Sequence, residues 1–125
     1  MKEIKCKELY RLPVTSNLTQ DIFDMGFLTG KKRELLGVIN NETLSPSLRM
    51  SWIHLYMEEF HKKQKLICDS IRRKLNLVDL ENIITVDYEA GEIVVLDISK
   101  KEYEKLAKKY NYLLTIIYKE EHIIP

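Results

Sequence analysis

The sequence predicts an α+β domain with a ferredoxin-like arrangement, in which strands and helices follow the order β-α-β-β-α-β. Three observations favour it: a strand pattern near the start, a long amphipathic pattern in the middle, and a hairpin, a helix and a last strand towards the end. Two right-handed strand-helix-strand units would close a four-stranded antiparallel sheet with both helices on one face. An irregular insert would precede the long first helix.

The first strand is predicted over residues 4–12, where apolar and charged residues alternate with the period of a half-buried strand. Residues 14–45 form the insert, because their glycines and threonines indicate short elements broken by turns. Two short helices, over residues 18–25 and 31–36, are one interpretation. A hairpin over residues 27–39 is the alternative.

The long helix is predicted to begin at Ser45-Pro46 and to continue to about Leu75. A serine side chain can cap the first backbone amides, and proline is preformed for the first helical position. A mostly apolar stripe at helical spacing is formed by Ile53, Met57, Phe60, Gln64, Ile67, Ile71 and Leu75. We expect this stripe to lie on a core, with the opposite face formed by Glu58, Lys65, Asp69 and Arg72.

A β-hairpin is predicted by two runs rich in β-branched residues, over residues 83–88 and 93–98, which a four-residue loop with Gly91 connects. The face expected under the helices carries Ile84, Val86, Tyr88, Val94, Leu96, Ile98, Leu114 and Ile116. The opposite, bare face would carry Ile83, Ile93, Val95, Leu113 and Ile117. Because exposed apolar patches usually mark interfaces, we predict a homodimer through this open face.

The second helix is predicted to begin at Ser99, which forms a capping box with Glu102. Its apolar stripe consists of Tyr103, Leu106, Ala107 and Tyr110. Asn111 can adopt the left-handed conformation that ends a helix, and a last strand is predicted over residues 112–118.

The composition is that of an ordinary globular chain without a strong charge. With 125 residues, 45% of them hydrophobic, the chain can bury one core, so we expect a single domain over residues 1–125. Twenty basic and nineteen acidic residues leave a net charge of +1, which gives no global field for a polyanion or a membrane surface. The longest apolar runs are far shorter than the roughly 20 residues of a membrane span, so we predict no membrane contact.

The expected location is the cytoplasm. Two cysteines do not form a disulfide framework, and the N-terminal residues lack the apolar stretch of a secretion signal. Alanine is rare whereas Lys, Ile, Glu, Leu and Asn are abundant, which indicates AT-rich coding, as in low-GC bacteria, their phages and plasmids, or some archaea and their viruses. A phage or a mobile element is the origin that we consider.

Two patterns on the long helix could carry chemistry. His54, Glu58 and His61 share one helix face, but a di-iron carboxylate site needs a second helix with facing carboxylates, so we predict no metal and no other cofactor. Arg49 and His54 have an Arg-x4-His spacing, which resembles the catalytic pair of the HEPN ribonucleases. The resemblance covers these two residues and implies an all-helical dimer, which the predicted hairpin does not fit.

Local basic clusters suggest a second class of partner. They are Lys31-Lys32-Arg33, Lys62-Lys63-Lys65, Arg72-Arg73-Lys74 and the lysines of residues 100–109. Such clusters can neutralise phosphates, although acidic residues are interleaved as on a solvated helix face. A nucleic-acid-binding transcriptional regulator is therefore the first alternative function, and a small ribonuclease using Arg49 and His54 is the second.

The favoured function is that of a small non-enzymatic regulatory or inhibitory protein that binds another macromolecule, with a protein as the favoured partner. The sequence has neither a glycine-rich phosphate loop nor a nucleophile elbow. We expect the insert to carry the binding surface, because functional contacts favour long connections on a rigid scaffold. The candidate partner-binding residues are Phe27, Lys31, Lys32 and Arg33, an apolar anchor beside cations that steer association. The alternative is that Phe27 belongs to the core.

Overall fold

The computed structural model describes residues 2–39 and 42–118, and it confirms a mixed α+β fold with three α-helices and two sheets among these residues. The strands are β1 (Lys2–Lys5), β2 (Glu8–Pro13), β3 (Asn82–Asp87), β4 (Glu92–Ser99) and β5 (Leu114–Ile117). The helices are α1 (Thr19–Ile39), α2 (Pro46–Lys74) and α3 (Lys100–Lys109). No helix in the described ranges combines the length and apolar content that crossing a membrane requires.

The chain divides into two compact units. The sheet unit consists of Met1–Val14 and Leu80–Pro125, and the helical unit consists of Thr15–Asp79. The sheet unit contains all five strands and α3, whereas the helical unit contains α1 and α2. The single domain over residues 1–125 stays a prediction.

The strand pairing differs from the predicted four-stranded antiparallel sheet. β1 pairs with β5 in parallel, whereas β2, β4 and β3 form a separate antiparallel sheet in that order. The predicted first strand is therefore divided at Cys6-Lys7, and its two parts pair in different sheets. Asp97 fixes the break, because its carboxylate accepts the Lys7 N–H at 2.8 Å and its own N–H donates to the Lys7 carbonyl at 3.0 Å. The ferredoxin-like topology is not confirmed.

The hairpin is confirmed, but the assignment of its faces was wrong. The Gly91 N–H donates to the Asp87 carbonyl at 3.0 Å and closes a loop that sets the register. In this register Ile84 lies opposite Val95, whereas the sequence analysis placed it on the face of Val94. Paired residues point to the same face of a sheet, so an error of one residue in register exchanges the two faces.

The core of the sheet unit is built around β4. Val94, Leu96 and Ile98 form a buried cluster, and α3 covers it with Tyr103 and Leu106. Further half-buried side chains that pack against this cluster are Ile4, Cys6, Ile83, Ile116 and Tyr118.

The apolar sheet face that we expected to be bare is not exposed. Ile93 and Val95 have 0% exposed surface within a single chain. Ile83, expected beside them, instead packs against the core cluster of the sheet unit. The homodimer was predicted from an open apolar face, and the structure removes that support. The oligomeric state itself stays a prediction.

Both predicted helix starts are formed by serine caps. The Ser45 hydroxyl accepts the Leu48 N–H at 3.3 Å, and the Ser99 hydroxyl accepts the Glu102 N–H at 3.0 Å. Each bond satisfies one of the backbone amides that a helix start leaves without an intrahelical acceptor.

Two asparagines in the left-handed conformation end α2 and α3. Asn111 has a φ of 54°, as predicted, and Asn76 has a φ of 57°. The residue after each asparagine donates its backbone N–H to a carbonyl of the helix that has just ended. The Tyr112 N–H donates to the Ala107 carbonyl at 2.7 Å. This is the Schellman arrangement, which satisfies carbonyls of the last helical turn.

A 3-10 turn over Ser16–Leu18 and one long helix form most of the insert, instead of several short elements broken by turns. α1 runs over Thr19–Ile39, so the two short helices and the alternative hairpin were both wrong. We interpreted Gly26, Gly30 and Gly37 as turn signals. An isolated glycine costs only about 1 kcal/mol relative to alanine in a helix, and the segment contains no proline to interrupt it.

α1 and α2 form an antiparallel helical hairpin. Asp21, in the first turn of α1, accepts a bond of 2.8 Å from the ammonium of Lys74, the last residue of α2. Arg72, which we expected on the solvent face, is buried at 4% exposed. The buried apolar side chains of this unit are Leu18, Met25, Leu35, Ile53, Met57 and Ile71.

Gly30→Ala is expected to stabilise the protein by about 0.5–1 kcal/mol, because alanine restricts the unfolded chain more than glycine does. A Cβ at Gly30 would meet no heavy atom within 4 Å. The contrasting variant is Gly91→Ala, which is expected to destabilise the protein because Gly91 has a φ of 65°. Both changes are measured as shifts in the midpoint of urea unfolding, provided that the dependence of the unfolding free energy on urea concentration stays the same. A lower midpoint for Gly30→Ala would contradict a regular helix at this position.

Candidate functional site

A groove between α1 and α2 is the candidate site. It has a volume of about 550 Å³, and all its lining residues belong to the helical unit. α1 contributes Asp24, Phe27, Leu28 and Lys31. α2 contributes Tyr56, Glu59, Phe60, Lys63, Leu66 and Ile67. The lining is therefore mostly apolar, with two acidic and two basic side chains.

Helical spacing explains why these side chains meet. Phe27 and Lys31 are four residues apart on α1, and Glu59, Lys63 and Leu66 follow the same spacing on α2. Residues three or four apart lie on the same helix face. The antiparallel packing of the two helices then brings the two faces to opposite sides of one groove.

Large apolar side chains around the groove are exposed. Phe23 is 68%, Phe27 is 62% and Leu66 is 69% exposed. The same face of α2 continues through Leu55, Tyr56 and Trp52, and the Trp52 and Tyr56 rings lie 5.7 Å apart between centroids. We call the helical face the set Phe23, Phe27, Trp52, Leu55, Tyr56 and Leu66. Several large apolar side chains exposed near one groove are typical of an interaction site.

The charged side chains of the groove form only short-range contacts within their own helix. The Lys31 ammonium lies 5.4 Å from the centroid of the Phe27 ring and 3.4 Å from a carboxylate oxygen of Glu34. The Lys63 ammonium lies 3.2 Å from a carboxylate oxygen of Glu59. Exposed pairs of this kind typically contribute about 0.3–0.5 kcal/mol each, so a partner can replace them at small cost.

The structure brings together two of the four predicted partner-binding residues. Phe27 and Lys31 line the groove. Lys32 points elsewhere and is half-buried, and burial lowers the pKa of its ammonium. Arg33 is exposed, but a helix turns about 100° per residue, which places Arg33 roughly 120° away from Phe27.

The α2 side of the groove was missed by the sequence analysis. We followed the stripe that begins at Ile53 and treated the opposite face as polar. A second apolar stripe was present on a flank of the first, between it and the polar face, with Leu48, Trp52, Leu55 and Tyr56 at the same helical spacing.

Both chemical patterns lie on the single helix α2. His54 lies five positions after Arg49, which corresponds to a rotation of about 140° on an α-helix. Glu58, on the face of His54 and His61, lies 3.6 Å from the ammonium of Lys62. Within the described ranges no group of three or more His, Cys, Asp or Glu residues could hold a metal ion.

The two cysteines are unpaired and partly buried. Burial raises the pKa of the Cys68 thiol to about 11. Burial also raises the pKa of Cys6, and the nearby carboxylates of Asp97 and Glu102 add to that effect. Because the thiolate is the reactive form, raised pKa values lower the reactivity of both thiols near neutral pH.

Comparisons of the chain with protein-family models, with curated proteins and with solved structures found no match. The groove between α1 and α2 is therefore the feature that supports a function. Its features are an apolar lining, exposed aromatic side chains and charges of both signs.

Proposed function

We propose that this chain is a small non-enzymatic regulatory or inhibitory protein that binds another protein through the helical face. The supporting observation is the exposure of Phe27 and Leu66 on the two sides of a largely apolar groove. An amphipathic helix of a partner, with apolar side chains one and two turns apart, fits such a groove. The charged groove residues would form the polar rim that surrounds an apolar interface core.

The proposed setting is the cytoplasm of a host with AT-rich coding, with a phage or a mobile element as the source. The free state of Cys6 and Cys68 supports a reducing compartment. The composition supports the origin, because alanine is rare.

Phe27→Ala is expected to weaken partner binding by about 10- to 100-fold, because a buried phenylalanine side chain is worth roughly 1.5–3 kcal/mol. The partner is first captured from the native host and identified by mass spectrometry. Its affinity is then measured by calorimetry with purified proteins. Leu9→Ala is the matched control, because Leu9 is also exposed, at 52%, but belongs to the sheet unit. Equal affinities for wild type, Phe27→Ala and Leu66→Ala would remove the helical face from the proposal.

Nucleic-acid binding is the second candidate, and a lysine stripe on α3 supports it. Lys101, Lys105 and Lys108 are exposed and follow the spacing of one helix face. The ion pairs given above join Lys62 and Lys63 to glutamates of α2, but they include none of these three. Three aligned ammonium groups are suited to contact successive phosphates.

The triple variant Lys101→Glu, Lys105→Glu, Lys108→Glu tests this second candidate in a gel-shift series at increasing salt. If the stripe contacts duplex DNA, the slope of log affinity against log salt is expected to fall by about 0.9 per lost contact. Lys62→Glu with Lys63→Glu is the control, since these lysines already have acidic partners. An unchanged slope would exclude the α3 stripe as the contact surface.

A further inference from the structure

We propose that the helical face binds a second copy of this chain, so that two helical hairpins associate into a four-helix bundle around a twofold axis. This inference rests on the proposed function, because it names the partner of the same groove. Antiparallel helical hairpins that pair through their apolar faces are an established route to such a bundle.

The distribution of exposed apolar side chains supports this location. Of the twelve exposed large hydrophobic side chains among the described residues, nine belong to the helical unit, and six of these nine form the helical face. The sheet, by contrast, keeps Ile93 and Val95 fully buried within one chain. The helical face is therefore where the chain offers apolar surface to a partner.

The exposed area is of the size that a dimer needs. The aromatic side chains Phe23, Phe27, Trp52 and Tyr56 are 68%, 62%, 41% and 39% exposed. At about 200 Å² for each aromatic side chain, they present roughly 400 Å² to solvent. A standard interface buries about 800 Å² on each partner, so these four supply about half. The leucines and the charged side chains of the same face supply further area.

The charged side chains of the groove are complementary to those of the same groove in a second copy of the chain. α1 carries Asp24 and Lys31, and α2 carries Glu59 and Lys63, so each helix brings one acid and one base. In a twofold interface every contact occurs twice, and an acid of one copy can meet a base of the other in both halves. A groove with charges of one sign would repel its own copy, whereas this one does not.

The experiment measures the mass of the full chain by light scattering and sedimentation between about 1 and 100 μM, a range that brackets the micromolar association of ordinary interfaces. Wild type is expected to have twice the monomer mass. Phe27→Asp is expected to be monomeric or at least tenfold weaker in self-association, while its circular dichroism stays that of wild type because Phe27 is exposed. Leu9→Ala is expected to remain a dimer.

A charge-exchange pair tests the copy-to-copy contact directly. One chain carries Asp24→Lys and Glu59→Lys, and the other carries Lys31→Glu and Lys63→Glu. Each alone is expected to be monomeric through like-charge repulsion, and a mixture of the two is expected to form the dimer again. A change that merely disturbed folding would not be rescued by mixing.

Three outcomes would overturn the inference. They are a monomeric wild type at 100 μM, a dimer that survives Phe27→Asp, and charge variants that are not rescued by mixing. If wild type is monomeric but Phe27→Ala still weakens binding of a different protein, the proposed function stands and the inference fails. If Phe27→Ala changes neither self-association nor binding of another protein, both fail.

Discussion

Leu96→Ala is expected to lower the free energy of unfolding by about 3 kcal/mol, within the range found for buried leucines. Leu96 lies on the central strand β4 with 0% exposed surface. It belongs to the core cluster of the sheet unit, which α3 covers. Truncation to alanine removes apolar contacts and leaves a cavity that the tightly packed surroundings fill only in part.

Urea unfolding measures this change, with Leu9→Ala as the reference variant. Leu9 is also a leucine of the sheet unit, on the neighbouring strand β2, but it is 52% exposed. Its truncation is expected to change the free energy of unfolding by less than about 0.5 kcal/mol. Equal changes in the two variants would contradict the central position of Leu96 in the core.

The sequence predicts helix starts and ends well, because these depend on residues close together in the chain. The serine hydroxyl of Ser45 reaches the amide of a residue three positions ahead, and Ser99 does the same. Asn111 ends α3 through backbone bonds within five residues. Such contacts form whatever the rest of the chain does.

α1 could not be predicted in this way, because apolar side chains lie on two of its faces. Leu18, just before the helix, with Met25 and Leu35 supplies buried side chains, whereas Phe23 and Phe27 lie on the exposed helical face. When apolar residues lie on two faces of a helix, the sequence lacks the single apolar stripe by which an amphipathic helix is identified. The second apolar face of α1 therefore explains why the helix was not predicted, and it also supports an interface at this helix.

Strand direction and register depended on contacts that no local pattern specifies. β1 pairs with β5 across more than 100 residues of chain, with Lys2 opposite Leu114. Both directions of pairing give the same alternation of apolar and polar residues in β1. The pairing partner of Ile84 depended on the conformation of the loop at Gly91, and a shift of one residue exchanged the faces.

The candidate site was predicted in part because only part of it is local. Phe27 and Lys31 line the same groove, because one helical turn separates them. Lys32 and Arg33 were included because they follow in the sequence, but a helix turns consecutive residues to different sides. The α2 side of the groove required knowing that α1 packs beside the second apolar stripe.

Asp87 links the three strands of the antiparallel sheet through one arginine. The Arg11 guanidinium on β2 donates to an Asp87 carboxylate oxygen at 2.9 Å and lies 3.4 Å from a carboxylate oxygen of Glu92 on β4. Arg11 also donates to Glu8. The bonds to Glu8 and Asp87 raise the pKa of Arg11, so it stays charged throughout the accessible pH range. Asp87 itself is 6% exposed, and its second oxygen accepts the Ala90 N–H at 3.2 Å in the hairpin loop.

Asp87→Ala is therefore expected to destabilise the protein by about 2 kcal/mol, because it removes charge-assisted bonds to Arg11 and the acceptor of a loop amide. Asp87→Asn keeps an oxygen for Ala90 but loses the negative charge, so about half of that effect is expected. Glu89→Ala, in the same loop but exposed, is the control and is expected to stay within about 0.5 kcal/mol of wild type. Thermal and urea unfolding rank the three variants by their free energy of unfolding. An Asp87→Ala variant as stable as Glu89→Ala would show that the loop and the three strands hold together without this carboxylate.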